Sequence, residues 1–258
     1  MDTLPNAGDI PLVDNSRPPI VKGDTGNYLL QLTTDKTFAA LAPHLEPFEA
    51  ERGIQLFASE EPLDKVHFLD SGIGSLVAMS PEGHECEIGL FGRDGFSPSS
   101  VMLGAERSPY RCVIQVAGSG HRITASRLKE IAAENAGFQQ LLLKYVDVQW
   151  IQTSFTALSN AVHHVDERLA RWLLMCHDRI DGDEIALTHE FLSLMLAVRR
   201  PSVTTALHVL EGNRLIRSER GCVTIRDRAA LEDFASDAYG RPEAEYEKLL
   251  KPLRRTSD

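Results

Sequence analysis

The chain has 258 residues, 43% of them hydrophobic, and 27 Lys and Arg against 37 Asp and Glu give a formal net charge of −10. That length and apolar content can build two ordinary domains with a sizeable core, while an overall negative charge argues against a surface that is basic throughout. No uninterrupted apolar run reaches membrane-spanning length. The four cysteines, Cys86, Cys112, Cys176 and Cys222, have no CxxC spacing, which removes the usual sequence evidence for zinc or an iron–sulfur cluster.

Residues 1–27 are rich in Pro, Asp, Asn and Gly and have neither the basic start nor the apolar centre of a signal peptide, so a flexible arm on a cytoplasmic chain is expected. The segment "DKTFAALAPHLEPFEA" reads as a short helix stopped by Pro43 and Pro47. From about residue 53 to 124, the runs "GIQLFA", "DKVHFLD", "GIGSLVAM", "HECEIGLF", "YRCVIQVAG" and "HRIT" alternate with Gly, Pro, Ser and Asp turns. Short strands at that spacing predict a sandwich or barrel, with a hairpin whose tip is Pro81, Glu82 and Gly83.

The period then becomes helical. Leu141, Val148, Phe155 and Val162 fall seven apart, with Ile151, Leu158 and Val165 interleaved. Such a stripe predicts a subunit seam, here Leu141, Val148, Ile151, Phe155 and Leu158; packing on the chain's own barrel is the alternative. A second helix, "VDERLARWLLMCHDRI", ends before the turn "DGDE".

The segment "LTHEFLSLMLAVRRPSVTTALHVLE" divides into helix, turn and helix. Thr188 is a candidate N-cap, and Phe191, Leu192, Met195 and Leu196 supply a buried face. In the second helix, Val203, Ala206, Leu207 and Leu210 face inward, and Pro201, Thr204, Thr205 and His208 lie opposite. That is the geometry of a helix-turn-helix, whose second helix enters the major groove of DNA. "NRLIRSERGCVTIRD" then reads as a β-hairpin wing turning near Arg220 and Gly221, with Arg217 and Arg220 in reach of phosphates, and Asp227 caps a further helix. Residues 199–228 hold seven basic and three acidic residues, so positive charge is concentrated here despite the acidic whole.

With "LTHEFLSLMLAVRRPSVTTALHVLEGNRLI" and "HVDERLARWLL" in view, the chain resembles the Crp/Fnr family of bacterial transcription regulators from about residue 28 to 235. The resemblance implies an α+β fold: an N-terminal β jelly-roll sensor similar to a cyclic-nucleotide-binding domain (28–137), a dimerisation helix (138–162) and a winged helix-turn-helix domain (163–240). The arm (1–27) precedes these, and a C-terminal tail (241–258) follows. It further implies a homodimer on a pseudo-palindromic double-stranded operator, with RNA polymerase as a further partner, no membrane and no enzymatic activity.

By position, the expected DNA contacts are Arg199, Arg200, Pro201, Ser202, Thr204, Thr205, His208, Arg217 and Arg220. Arg200 stands where the family commonly reads a guanine. Pro201 replaces a frequent glutamate, and because proline disfavours helical torsions in its predecessor, Arg200 could instead act on phosphate from the cap position. Ala197 replaces a turn glycine, at a cost of about 1 kcal/mol if its torsion is left-handed.

Family members that bind cyclic AMP or cyclic GMP carry a Gly-Glu pair, then an arginine and a small hydroxyl residue. Here Ser97 and Pro98 stand about where the pair would be, and Arg107, followed by Ser108, competes with Arg111 for the phosphate role. The candidate effector residues are therefore Ser97, Ser99, Ser100, Arg107, Ser108 and Arg111. The missing glutamate argues against a cyclic nucleotide and leaves an unidentified small effector, or none, with a cyclic-nucleotide-responsive regulator as the alternative; no cofactor is implied. An iron–sulfur sensor would need cysteines near the N-terminus, and the first is Cys86.

No catalytic and no metal-ligating residues are assigned. "HECE" at His84–Glu87 lacks a His-x-His partner, and "HHVDE" at His163–Glu167 offers two ligands without a third. A barrel metalloenzyme using His84, Glu85 or Glu87, and a winged protein-interaction module, are the readings from other classes.

Overall fold

The computed structural model of the protein describes residues 20–250. Helices α1 (Tyr28–Leu32) and α2 (Asp35–Leu41) lead into strands β1 (Glu46–Ala50), β2 (Gln55–Phe57), β3 (Lys65–Leu69), β4 (Ile73–Met79), β5 (Glu85–Phe91), β6 (Phe96–Ser97), β7 (Tyr110–Val116) and β8 (Gly118–Thr124). These form two four-stranded sheets, ordered β1-β8-β3-β6 and β2-β7-β4-β5. Helices α3 (Ala125–Glu134), α4 (Ala136–Val162) and α5 (Val165–His177) follow, then β9 (Glu184–Ile185), α6 (His189–Leu196), α7 (Arg200–Gly212), β10 (Ile216–Glu219), β11 (Cys222–Ile225), α8 (Arg228–Ala235) and α9 (Arg241–Leu249). The α+β architecture of roll, long helix and C-terminal helix-turn-helix with a wing is as expected from the sequence.

The chain divides into two compact units: one runs through Leu76 and takes in Leu90–Asp147, and the other combines Val77–Gly89 with the chain from Val148 onward. The units do not follow the sequence boundary at 137/138. The outer part of the β4–β5 hairpin, Val77–Gly89, belongs with α5, and there the Trp172 indole N–H donates to the buried Glu87 carboxylate on β5 at 2.8 Å. The first part of α4, through Asp147, belongs with the roll, where Tyr145 packs on Phe96 with ring centroids 5.1 Å apart. Gly95 is required there, since a Cβ would lie 2.0 Å from the Tyr145 ring.

Several expectations are corrected. The arm does not extend to residue 27: Asn27 is fully buried, caps α1 by accepting from the N–H groups of Leu29 and Leu30, and donates to the carbonyls of Leu69 (2.9 Å) and Gly95 (2.8 Å). Residues 1–19 and 251–258 lie outside the described residues. The tail is not all tail, because α9 buries Glu243 and Tyr246. Pro47 does not merely stop a helix; it sits in β1, an edge strand, where a missing N–H costs no ladder bond.

A polar row crosses the first sheet. Glu46 is registered with Arg122, Arg122 with His67 and His67 with Ser97. Glu46 pairs with Lys65 at 3.0 Å and Arg122 at 3.2 Å. Burial, reinforced by the Arg122 charge, pushes the His67 imidazole down to about 3, so it is neutral. In the second unit, the buried Asp178 carboxylate accepts from Arg228 at 2.6 Å and from the Tyr239 hydroxyl at 2.8 Å, and Arg228 also reaches Glu232 at 2.9 Å. That network clamps α8 onto the end of α5.

Candidate nucleic-acid interface

Helix α6 begins as its sequence dictates. The Thr188 hydroxyl accepts from the Phe191 N–H at 3.3 Å, and Leu192, Met195 and Leu196 are buried while Phe191 is half-buried. It ends at Ala197, whose torsions (φ 49°, ψ 44°) are left-handed, so the strain foreseen for an alanine at this turn is present. The Arg168 guanidinium on α5 donates to the Leu196 carbonyl and holds the turn from beneath.

The cap of α7 is Arg199, with extended torsions (φ −72°, ψ 150°), and Arg200 is its first helical residue, followed by Pro201. This corrects the placement of Arg200 at the cap. Proline's missing N–H falls where no intrahelical acceptor exists, so the first turn accommodates it. Val203, Ala206, Leu207 and Leu210 are buried, as their spacing requires. Arg199, Arg200, Pro201, Thr205 and His208 are exposed on the other side, and Ser202 and Thr204 are half-buried. The Thr204 and Thr205 hydroxyls donate to the carbonyls of Arg200 (3.2 Å) and Pro201 (3.1 Å).

Strands β10 and β11 pair antiparallel with Glu219 opposite Cys222, leaving Arg220 and Gly221 (φ 80°) as a two-residue turn. The third strand, β9, was not foreseen; Ile185 pairs with Val223. Arg217 and Arg220 are exposed, and Arg217 meets Glu219 at 2.6 Å. Between α6, α7 and the wing lies an open concavity of ≈ 660 Å³ whose lining includes Thr204, His208 and Arg220. Exposed guanidinium groups stand at the head of a 13-residue helix, the end of a helix that favours negative charge, with Arg217 and Arg220 on the wing beside it.

Sequence reasoning missed three residues at this surface. Glu190 pairs with Arg200 at 2.8 Å, the Glu211 carboxylate accepts the Ser218 N–H at 3.0 Å and so ties α7 to the wing, and His189 lines the concavity with its Nδ1 3.5 Å from the Thr204 hydroxyl. The position of His189 directly after the Thr188 cap is the signal that could have found it.

The candidate effector residues are placed differently. Ser97 is fully buried in β6 opposite His67. Ser99 and Ser100 are half-buried in the 3-10 turn Ser99–Leu103. Arg107 is exposed and donates to the Glu60 carbonyl, and the buried Ser108 hydroxyl accepts from the Tyr110 N–H at 3.1 Å. Arg111 is half-buried on β7. Of the seam residues, Val148 is buried in its own chain, which corrects its assignment: on α4, Leu142, Tyr145, Val148 and Gln149 share one inward face. Leu141, Ile151 and Phe155 are half-buried, and Leu158 and Val162 are 50% and 62% exposed. Among the described residues, no group of three or more His, Cys, Asp or Glu could hold a metal ion, and no helix is long and apolar enough to cross a membrane.

A family model for the Crp-like helix-turn-helix domain matches residues 167–234. A CRP-like cAMP-activated global transcriptional regulator of Mycobacterium tuberculosis is 24% identical over 212 residues, covering 79% of this chain and 94% of that protein. The chain is thus similar in sequence to Crp-like regulators, most specifically over its helix-turn-helix domain. Its fold resembles that of FixK2 from Bradyrhizobium japonicum (15% identity, 74% of this chain and 98% of that one, TM-score 0.63). It resembles equally a Crp/Fnr-family regulator from Eubacterium rectale (17% identity, 81% and 98%, TM-score 0.63). The matched domain and the curated relative are those of transcription regulators. In this chain the matched domain begins within α5 and ends within α8, enclosing the whole concave surface described above.

Proposed function

We propose that this protein is a Crp/Fnr-type regulator that acts in the cytoplasm as a homodimer on a pseudo-palindromic operator, placing α7 of each protomer in a major groove at half-sites about 34 Å apart. The observation that carries the reading is the exposed row Arg199, Arg200, Thr205 and His208 on α7, flanked by Arg217 and Arg220 on the wing. Arg200 is the candidate for base readout, and Arg199, Arg217 and Arg220 for phosphate positioning.

Dimerisation is supported by the exposed apolar side chains of α4. Leu158 and Val162, with half-buried Ile151 and Phe155, follow the seven-residue repeat beside the inward face and would be covered by a second α4. RNA polymerase is the partner through which a bound regulator would change transcription.

The signal is not cyclic AMP but an unidentified small effector, or the protein needs none. Ser97 is buried within a strand pair, and the Arg107 guanidinium is engaged by the Glu60 carbonyl; neither is arranged as a ribose or phosphate clamp. Selection of random double-stranded DNA by the purified protein, without nucleotide, tests the whole reading. It should enrich an inverted repeat that the Arg199→Ala/Arg200→Ala protein does not enrich. Enrichment only on addition of cyclic AMP or cyclic GMP would overturn the effector assignment. Crosslinking and scattering that showed a monomer on DNA would overturn the dimer.

A further inference from the structure

The concavity between α6, α7 and the wing has an unusual charge balance for a surface meant to meet DNA. Its charged lining residues are Glu211, Glu219 and Arg220, so two carboxylates oppose one guanidinium, and the remaining titratable lining groups are His189 and His208. With both imidazoles neutral the lining is net negative; with both protonated its sign reverses. A B-DNA duplex carries one phosphate charge per about 1.7 Å of axis, so that reversal bears directly on affinity.

The geometry points to a proton-linked DNA contact. We propose that His189 is a further DNA-facing residue of this regulator, and that His189 and His208 take up protons as they meet backbone phosphates, making operator affinity rise as pH falls. The inference rests on the DNA-binding reading above.

Both histidines are exposed, on two different helices facing the same hollow. His189 stands in the first turn of α6, beside Thr204 of α7. His208 lies three residues before Glu211 on the outer face of α7. The carboxylates around them are already engaged with other partners, and Arg220 gives the lining a fixed positive charge. On α6, Glu190 is held by Arg200 at 2.8 Å; on α7, Glu211 accepts the Ser218 N–H at 3.0 Å; on the wing, Glu219 meets Arg217 at 2.6 Å. A phosphate entering the hollow would therefore find the imidazoles as the groups whose charge can still change. Imidazole in general titrates within the physiological range, and an adjacent phosphate favours its protonated form. Linkage then requires that DNA binding take up protons and strengthen toward acid pH.

The test measures affinity for the selected operator at constant salt, at about pH 8 and about pH 6, where the phosphodiesters stay ionised. Wild type should tighten by about tenfold or more over that interval, with a steeper salt dependence at the lower pH. His189→Gln/His208→Gln should lose most of the gain, each single variant part of it, and His189→Lys/His208→Lys should bind tightly at both pH values. An unchanged gain in the glutamine variant, or no gain in wild type, overturns the inference while leaving the DNA-binding reading standing. Absence of a specific complex at either pH overturns both.

Discussion

The helix-turn-helix and the candidate effector segment of the roll are about the same length, and the sequence pointed to function in both, yet they turn out differently. At the helix-turn-helix, Arg199, Arg200, Thr205 and His208 are exposed together on one face, and the buried residues behind them follow helical spacing. In the roll, Ser97 is buried opposite His67, Ser108 holds its own turn, and Arg107 reaches a backbone carbonyl. The difference teaches that residues displayed by a single helix keep the grouping their spacing gives them. Residues displayed by separate strands are grouped by register and turns, which spacing does not specify.

That contrast can be broken or sharpened by substitution, because it assigns affinity effects to one region and stability effects to the other. The largest effect is expected at the head of α7. Arg199→Ala/Arg200→Ala removes two cations from each protomer of the proposed dimer, and at about 1–3 kcal/mol for a good base contact alone operator affinity should fall on the order of 100-fold or more. Its thermal melting should match wild type; a large drop in melting temperature would show that these arginines belong to the fold.

Next is the buried clamp beneath the interface. Arg228→Met strands the Asp178 carboxylate, which is fully buried and already pushed up by burial against the pull of Arg228. Breaking such a pair costs about 3 kcal/mol, readable in denaturant unfolding. A loss well under about 1 kcal/mol would mean that the Tyr239 hydroxyl alone can hold Asp178.

In the roll, His67 should act through pH. Its folded value of about 3 lies below the ordinary unfolded value of about 6.5, so the unfolded chain binds the proton more readily. The associated stability is fully present above about pH 6.5, falls by about 2 kcal/mol by about pH 5, and continues to fall toward about pH 3. His67→Leu should flatten that limb in pH-dependent melting; an unchanged limb would move the acid sensitivity to other groups.

The smallest effect is at the turn. Ala197→Gly relieves a left-handed torsion and should stabilise the protein by about 0.5–1 kcal/mol without weakening operator binding. A destabilised glycine variant would show that the alanine methyl packs usefully enough to outweigh its strain.

Much of the fold was legible in the sequence. Thr188 and Asp227 cap α6 and α8 as expected, the hairpin turn falls at Arg220 and Gly221, and the six strand runs each yield a strand. β1, β6 and β9 were not foreseen: β1 lies in the segment read as a proline-stopped helix, and two-residue strands have no periodicity to detect. Of the interface, nine residues were named, but Glu190, Glu211 and His189 were not. Their roles follow from contacts to Arg200, to the Ser218 N–H and across to Thr204, none of which helical periodicity encodes.

By itself the sequence determined what is local: the caps, the turn residues, the inward face of α7 and the cations opposite it, all set by torsional preference and by hydrogen bonds within a few residues. Only the tertiary structure decided that Val148 faces its own core, that β5 of the hairpin joins α5 through Glu87 and Trp172, and that two histidines from different helices share one hollow. Each depends on which distant segments meet, and that is settled by burial of apolar surface and pairing of buried polar groups across the whole chain rather than by the order of neighbouring residues.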